Sequence, residues 1–512
     1  MDNSKSQKID ALFNDFDTSD KPGVVVGVTQ DGRTEYTKAF GMANLEYDLP
    51  LTLDSVLQVG SVSKQFTAFA ILLLSEKGWI DLDAPVKTYL DYFPRFDHEI
   101  TVRHMVHHAS GLRNSTTFRL VNGIANGDVI TKDLDITMLK KQKNLDFEPD
   151  TFFSYSNLSY SLMAEIVAKV TGKSFRAYMD ETIFKPLGMN NSFFHDTNFE
   201  LIKNKAEAYT VTPDCVLNCP VVHSNYGATN LYTTVKDMIK WAEELMCPVI
   251  FSKKTVAKAF TPYECKNGYK TGYGFGFMVH EYKGKYVIEH GGADAGYVSQ
   301  IYIIPNQNIA VLLLSNRRDF INTDLMRKVL DIVLDLPDDS SIYNRVPKNE
   351  DISGIYYFEK GARVFRFTRT EDGTFLSIMD IRWELFKKDV GLYIIPQFDT
   401  EFAFSKKGDV KLINNGNFTT GIKINPTAIA VADRSCAGKY IGTEFDAIHE
   451  VIFTENAMIL NNNRTGKMPF RKYDNGIYLD TVSNMVAIRF KKNKMYISTN
   501  GAVCVEFVKM RP

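Results

Sequence analysis

Ser61 and Lys64 stand three residues apart at the start of a strongly apolar stretch, and their types suit covalent catalysis. Residues 65–74 are almost wholly apolar, which indicates a helix that is buried on all sides. Side chains at this spacing share one helix face and can touch. A hydroxyl needs an adjacent base, and a lysine in a dry pocket loses its proton more readily. The pair predicts Ser61 as nucleophile and Lys64 as base, with a capped core helix as the alternative.

Tyr155 and Asn157 form a second polar pair, directly before a helical pattern over 158–171. A phenol beside Lys64 can share its proton and pass it to a leaving group. A side-chain amide can orient both the lysine and a substrate amide. We therefore expect Tyr155 to be catalytic and Asn157 to bind substrate. A similar segment at 473–475 is more simply a turn between strands.

The third polar element is His290-Gly291-Gly292, which closes a predicted strand. Paired glycines let a backbone approach a ligand closely, and an imidazole can donate a hydrogen bond to a substrate carbonyl or carboxylate. The amide of Ala293, together with that of Ser61, can form an oxyanion hole. These four consecutive residues are therefore predicted to bind substrate.

Other polar groups are weaker candidates. Lys-Thr-Gly at 270–272 lies before a Tyr-Gly-Phe-Gly turn and is interpreted as an exposed loop. Cys215, Cys219 and His223 are spaced four apart, but prolines interrupt the stretch and no fourth ligand is evident. The histidines within 104–108 have no carboxylate at metal spacing. No phosphate-loop or metalloprotease motif occurs, so neither a metal nor a cofactor is expected.

Composition narrows the class of protein. The 512 residues are 44% apolar and 24% charged, which is typical of globular proteins with more than one domain. The formal net charge of -1 gives no electrostatic case for nucleic acid or an anionic membrane. Six cysteines are too sparse for a disulfide scaffold. The first 21 residues lack an export signal, which predicts a cytoplasmic protein.

Residues 1–336 alternate strands and helices, with strands early and late and helices between them. This order predicts an α+β domain whose sheet is completed by both ends of the segment. The predicted elements are a hairpin over 22–40, helices over 61–77, 101–108, 158–171, 234–246 and 322–334, and strands over 273–280, 285–290, 297–304 and 309–315.

The remaining chain is a polar linker over 337–350 followed by two strand-rich units, 351–434 and 435–512. The units repeat each other at spacings of 84, 85 and 86 residues. The matching positions are Gly354 with Gly438, Gly391 with Gly476, and Phe404 with Phe490. Each unit is therefore predicted to be a small antiparallel β-barrel.

With these elements in this order, the first two thirds of the chain resembles the β-lactamase-like serine hydrolases, the family of class C β-lactamases and D,D-peptidases. Further stretches that carry the resemblance are 100–105, 110–112, 184–189, 230–234 and 273–276. The whole chain resembles the bacterial D-aminopeptidase branch, whose catalytic domain precedes two eight-stranded antiparallel barrels. The resemblance implies an acyl-enzyme and release of N-terminal D-residues from peptides or amides.

One loop departs from that branch. In the D-aminopeptidase branch, a long loop of the last barrel enters the cleft and selects a free α-ammonium group. The corresponding loop of this chain is only residues 480–485. Asp480 is the residue of this loop that could offer a carboxylate to substrate. Carboxylesterase, D,D-peptidase and β-lactamase activities remain alternatives, as does a non-catalytic peptide-binding sensor. The expected partner is a small peptide, amide or ester, and a homodimer is left open.

Overall fold

The computed structural model describes residues 1–124, 127–322, 324–378, 381–405 and 407–511. The first part of the chain is built on an antiparallel sheet whose strands, in spatial order, are Met278–Tyr282, Lys285–Asp294, Tyr297–Ile304, Ile309–Ser315, Val24–Gln30 and Arg33–Phe40. The strand nearest the N-terminus pairs with the last one, with Val24 opposite Ser315 and Gln30 opposite Ile309. Both ends of the segment thus complete one sheet, and the α+β prediction is confirmed.

Helices pack on both sides of this sheet. Their bounds are Asn3–Leu12, Ser63–Glu76, Val102–Val106, Ser115–Val121, Lys132–Lys141, Asn157–Thr171, Phe175–Met179, Val235–Met246, Lys253–Ala259, Leu325–Leu334 and Asp339–Ile342. Among the described residues, no helix is long and apolar enough to cross a membrane.

The Ser63–Glu76 helix is the centre of the core. Every side chain from Ser63 to Leu72 is buried, as the apolar stretch predicted. Its polar members have partners: Gln65 accepts a 2.8 Å hydrogen bond from the Trp241 indole, which stacks on Phe66 at 4.3 Å. The helix begins two residues later than predicted because Gly60–Val62 forms a tighter 3₁₀ turn.

One predicted strand is shorter than expected. The strand predicted over 273–280 is observed at Met278–Tyr282, because the preceding turn packs against the core helix. Gly276 has φ +82°, and a Cβ there would come within 2.7 Å of the Gln65 backbone. The turn therefore needs glycine and cannot extend as a strand.

The rest of the chain forms two closed antiparallel barrels, which confirms the predicted fold class of this part. In the first barrel the strands are Gly354–Phe358, Arg363–Arg369, Thr374–Ile378, Ile381–Asp389, Leu392–Ile395, Thr400–Phe404, Asp409–Asn414 and Asn417–Ile424. In the second barrel they are Gly438–Gly442, Ile448–Phe453, Met458–Asn462, Gly466–Lys472, Tyr478–Asp480, Ala487–Lys491, Lys494–Thr499 and Ala502–Lys509. Within the 337–350 segment, Asn344–Arg345 pairs with Ile381–Asp389 and so adds a short strand to the first barrel.

The second barrel is joined to the first part of the chain by a buried ion cluster. The Arg113 guanidinium donates two hydrogen bonds to Glu444 of the barrel, at 2.9 and 3.0 Å, and one of 2.8 Å to Asp146. The three side chains are 1–2% exposed. Burial raises the pKa of Asp146 to about 6, although Arg113 opposes the effect. Next along the chain, the amide of Asn114 donates to the carbonyl of Gly501 at 2.6 Å.

We predict that Glu444→Gln lowers the free energy of unfolding by about 3 kcal/mol, because it leaves a buried guanidinium incompletely paired. The matched control is Glu359→Gln, which breaks the exposed pair between Glu359 and Arg489 of the two barrels. That variant should lose less than about 1 kcal/mol. Urea unfolding of both variants measures the difference, and equal small losses would contradict the anchoring role.

Candidate active site

Ser61 lies in the tight turn before the core helix, between that helix and the strand Lys285–Asp294. Gly60 has φ +50°, and a Cβ on it would lie 2.7 Å from the amide nitrogen of Ala293. A Cβ on Gly292 would lie 2.1 Å from the Val59 carbonyl and 3.1 Å from the Ser61 amide. Two glycines thus bring the backbones of the turn and the strand into contact at the serine.

The amine of Lys64 is buried beside Ser61. Its Nζ is 3.3 Å from Ser61 Oγ, 2.7 Å from Asn157 Oδ1 and 2.8 Å from the carbonyl oxygen of Ala228. A neutral amine has two N–H groups, and the two short contacts accept both of them. The lone pair is then left for the hydroxyl of Ser61.

Burial lowers the pKa of Lys64 well below its usual value, and the charge of Asp294 opposes this effect in part. The ammonium form would sit against the rings of Tyr155 and Tyr160, at 4.7 and 5.5 Å, rather than against a carboxylate. The site therefore favours a neutral lysine, which is the form that can take a proton.

The ring of Tyr155 lies against the amine of Lys64, with 4.7 Å between Nζ and the ring centre. Burial raises the pKa of its phenol, and the hydroxyl of Ser61 opposes the shift. The phenol oxygen is buried and has no hydrogen-bond partner of good geometry in the described part of the chain. A neutral phenol with a free hydroxyl can donate a proton, so the geometry suits a general acid better than a tyrosinate base.

His108 supports Tyr155 and was not identified from the sequence. Its ring lies 4.3 Å from that of Tyr155, and its Nδ1 accepts a 3.0 Å hydrogen bond from the amide of Ser156. Burial, with a contribution from Lys64, lowers its pKa well below the usual value, so the ring is neutral. The one sequence signal was the histidine cluster at 104–108, which metal spacing alone could not explain.

The side chain of His290 is buried behind Ser61 and does not face the space that a substrate would occupy. Its Nδ1 donates to the Gly291 carbonyl at 2.6 Å, and its Nε2 accepts from the Tyr273 hydroxyl at 2.9 Å. Burial and the neighbouring Lys64 lower its pKa to about 3, which keeps the ring neutral. Because both nitrogens are engaged, the predicted direct contact between His290 and substrate is corrected to a positioning role.

The edge of the strand from Gly291 to Asp294 faces the serine turn. The neighbouring strand Met278–Tyr282 pairs only as far as Glu289, so it does not cover this edge. Ser61 and Ala293 both line the cavity at this edge, so their amides remain the candidates for the predicted oxyanion hole.

Asp480 is not available to substrate, which corrects the sequence prediction. Its buried carboxylate accepts hydrogen bonds from the backbone amides of 482–486, at 2.5–3.1 Å, and from the hydroxyl of Ser483. These bonds hold its own short loop in place. The carboxylate is therefore engaged within the second barrel and does not face a ligand ammonium.

A cavity of about 440 Å³ opens at Ser61, Asn157 and Ala293. Asp294 lies in its wall and accepts hydrogen bonds from His223 at 2.9 Å and from Gln58 at 3.0 Å. Burial opposes ionisation of Asp294, but His223 and Gln58 outweigh it and lower its pKa. This carboxylate was not identified from the sequence.

Two guanidinium groups line the same cavity. Arg119 is paired with Asp135. Arg318 has no hydrogen bond or ion pair with any residue that the structure describes. Among its described lining residues, the cavity therefore offers Asp294 as an engaged carboxylate and Arg318 as a free cation.

Two candidates that the sequence analysis set aside are a loop lysine and a metal site. Lys270 is exposed, and its amide and carbonyl bond to the Asn417 side chain of the first barrel, at 2.9 and 2.6 Å. Across the described ranges, no group of three or more histidine, cysteine or acidic side chains is arranged to hold a metal.

A buried serine–lysine pair beside an antiparallel sheet and a helical core defines the class of the fold. The model of the beta-lactamase family matches residues 9–333, which is more than half of the chain. The chain belongs to the beta-lactamase family.

Several known proteins are similar to this chain. Penicillin-binding protein 4* of Bacillus subtilis is 25% identical over 79% of this chain and 95% of its own length. D-aminopeptidase of Brucella anthropi is 29% identical over 58% of this chain, a match that spans only 56% of that relative. The octameric penicillin-binding protein homologue from Pyrococcus abyssi superposes with a TM-score of 0.57 at 21% identity, over 99% of this chain and 100% of that one.

We predict that Gly292→Ala lowers kcat/KM about 100-fold, because the added methyl group would lie 2.1 Å from the Val59 carbonyl and must push the turn that carries the Ser61 amide away from the strand. Gly127→Ala is the matched control, since a Cβ there meets nothing within 4 Å. Steady-state kinetics on any turned-over ester or amide measures both variants. Full activity in Gly292→Ala would show that the strand contact does not set the position of the serine amide.

We also predict the pH dependence of kcat/KM. Lys64 must be neutral to accept a proton, and burial lowers its pKa, so activity should rise with pH and reach its plateau well below pH 10.5. Asp294→Asn removes the charge that raises this pKa, so the rising limb should move to lower pH. Asp54→Asn, an exposed partner of Lys236, should leave it unchanged. A limb near pH 10.5 would contradict a neutral lysine.

Proposed function

We propose that this chain is a serine hydrolase that forms an acyl-enzyme on Ser61 and acts on peptides or amides containing D-residues. The observation that carries the proposal is the position of the buried Lys64 amine, which lies 3.3 Å from Ser61 Oγ and contacts Asn157 Oδ1 and the Ala228 carbonyl. A binding protein would gain nothing from an activated nucleophile.

In the acylation step, Ser61 Oγ attacks the substrate carbonyl carbon and its proton passes to Lys64 Nζ. The carbonyl oxygen becomes an oxyanion that the amides of Ser61 and Ala293 stabilise. When the C–N bond breaks, the leaving amine takes the phenol proton of Tyr155, and Lys64 returns its proton to Tyr155. The product is a Ser61 ester, with Lys64 and Tyr155 both neutral again.

In the deacylation step, water attacks the ester and gives a proton to Lys64. The Ser61 oxygen leaves and is reprotonated by the same amine, which releases a carboxylic acid. His108 and His290 take no part in these transfers, because burial lowers the pKa of both rings and makes them poor bases. Instead, His108 packs against Tyr155, and His290 binds the backbone at Gly291.

The leading substrate class is amides and peptides with a free N-terminal D-residue. The similarity to a D-aminopeptidase supports this class. Since Asp480 is engaged in its own loop, Asp294 is the carboxylate that would accept the substrate ammonium. Its oxygens accept hydrogen bonds from His223, Gln58 and Thr229, and a carboxylate has about four acceptor sites, so one further donor can still bind.

Arg318 favours a second candidate, a D,D-peptidase-like activity on peptides with a free carboxylate. A free guanidinium in a catalytic cavity can bind a carboxylate through two parallel hydrogen bonds. The similarity to penicillin-binding protein 4* supports this alternative.

The test compares p-nitroaniline release from D-alanine and L-alanine p-nitroanilides with D-alanine release from an N-acylated D-alanyl-D-alanine peptide. Ser61→Ala should abolish every activity. Ser63→Ala should not, because among the described residues the Ser63 hydroxyl bonds to backbone groups of Gly60 and Leu231.

D-selective anilide hydrolysis that falls at least tenfold in Asp294→Asn supports the aminopeptidase class. Hydrolysis of the acylated peptide alone, lost in Arg318→Gln, supports the second candidate. Turnover that survives in Ser61→Ala would overturn the mechanism.

A further inference from the structure

The first barrel contains a second cavity, of about 340 Å³, at the end that faces the sheet of the first part of the chain. Its inner wall is apolar and aromatic, and it includes Phe365, Leu376, Trp383, Ile395, Phe402 and Leu412. Segments 269–273 and 278–280 border its mouth. A volume of this size lies at the lower end of the range of small-molecule sites. We refer to it as the barrel chamber.

The barrel chamber is separate from the cavity at Ser61. Within the described ranges, the two cavities have no lining residue in common. They are nevertheless neighbours, because Tyr273 borders the chamber while its hydroxyl bonds to His290. The chamber is therefore a site in its own right and not an extension of the catalytic cleft.

Arg363 lines the chamber and has no hydrogen bond or ion pair with a described residue, and the exposed Lys360 lies nearby. The Nε of Arg363 is buried without a hydrogen-bond partner in the described ranges, and its guanidinium lies 5.5 Å from the centre of the Phe152 ring. The ammonium of Lys360 lies 4.3 Å from the same ring and 5.5 Å from that of Tyr269. Burial lowers the pKa of both groups.

The Arg363 side chain is partly buried, and its buried Nε–H without a partner is costly, so native proteins rarely keep such a group without a function. Glu289, an acid of the chamber wall, does not supply the missing charge. It accepts a hydrogen bond from Gln300 and lies 3.8 Å from His280. Burial also raises the pKa of Glu289. An incoming anion is therefore the group that would complete the site.

We propose that the barrel chamber binds a monoanionic amphiphile, namely an apolar chain that ends in a carboxylate. The chain fills the aromatic interior, and the carboxylate pairs with the Arg363 guanidinium at the mouth. A single negative charge fits better than a dianion, because Glu289 lies in the same wall. This site does not depend on the activity proposed for Ser61.

The test uses the full-length Ser61→Ala protein, so that no ligand is turned over, and follows tryptophan fluorescence during titration with decanoate or decanol. Trp383 lies in the chamber wall, whereas Trp241 is buried in the core and Trp79 is on the surface. Decanoate should bind and change the signal. Arg363→Gln should weaken decanoate binding at least tenfold and leave decanol binding unchanged, because charge-assisted hydrogen bonds are lost.

Further variants show whether binding depends on the chamber and on its cation. Arg382→Gln removes an exposed cation of the same barrel, whose guanidinium lies 4.5 Å from the Phe375 ring, and should not weaken binding. Leu376→Phe narrows the chamber and should weaken both ligands even if Arg363→Gln misfolds. Thermal melting checks the fold of each variant. The proposal is overturned if decanoate does not bind, or if Arg363→Gln and Leu376→Phe bind it as tightly as the parent protein.

Discussion

A lysine amine removed from water, with no carboxylate in contact, is stable mainly as a neutral base. Its surroundings must accept two N–H groups and leave the lone pair free. Here the acceptors come from distant parts of the chain, since Asn157 begins one helix and Ala228 belongs to a loop some 70 residues later. The core helix, the aromatic rings around Lys64 and the neutral histidines all serve this one requirement, because water or a fixed charge would restore the ammonium.

The second barrel contributes to the same centre through the backbone. Arg113, which is anchored to Glu444, accepts the Ser156 hydroxyl on its carbonyl at 3.2 Å, and the Asn114 side chain accepts the Asn157 amide at 3.3 Å. The segment that carries Tyr155 and Asn157 is therefore hydrogen-bonded to residues that in turn bind the second barrel. This arrangement gives the barrel a structural role at the catalytic centre, although the carboxylate of Asp480 bonds only within its own short loop.

Sequence reasoning succeeded where the signal was local or periodic. The apolar run after Ser61 predicted a buried helix, and the recurrence of Gly354 at Gly438 predicted a duplicated barrel. It failed where a role depends on contacts between distant segments. The engagement of both His290 nitrogens, the closed loop around Asp480 and the support that His108 gives to Tyr155 arise only in the folded chain. A histidine, an aspartate or a glycine looks the same in sequence whether it contacts a substrate or a neighbour.

The protonation state of Lys64 is the central claim, and NMR of the protein labelled at the lysine side-chain carbons tests it most directly. The Lys64 resonance is identified by its absence in Lys64→Met, and its shift is followed as a function of pH. We predict a single titration well below pH 10.5, with the amine neutral at the pH of maximal activity. A resonance that titrates at or above 10.5 would show a permanent ammonium and contradict Lys64 as the base.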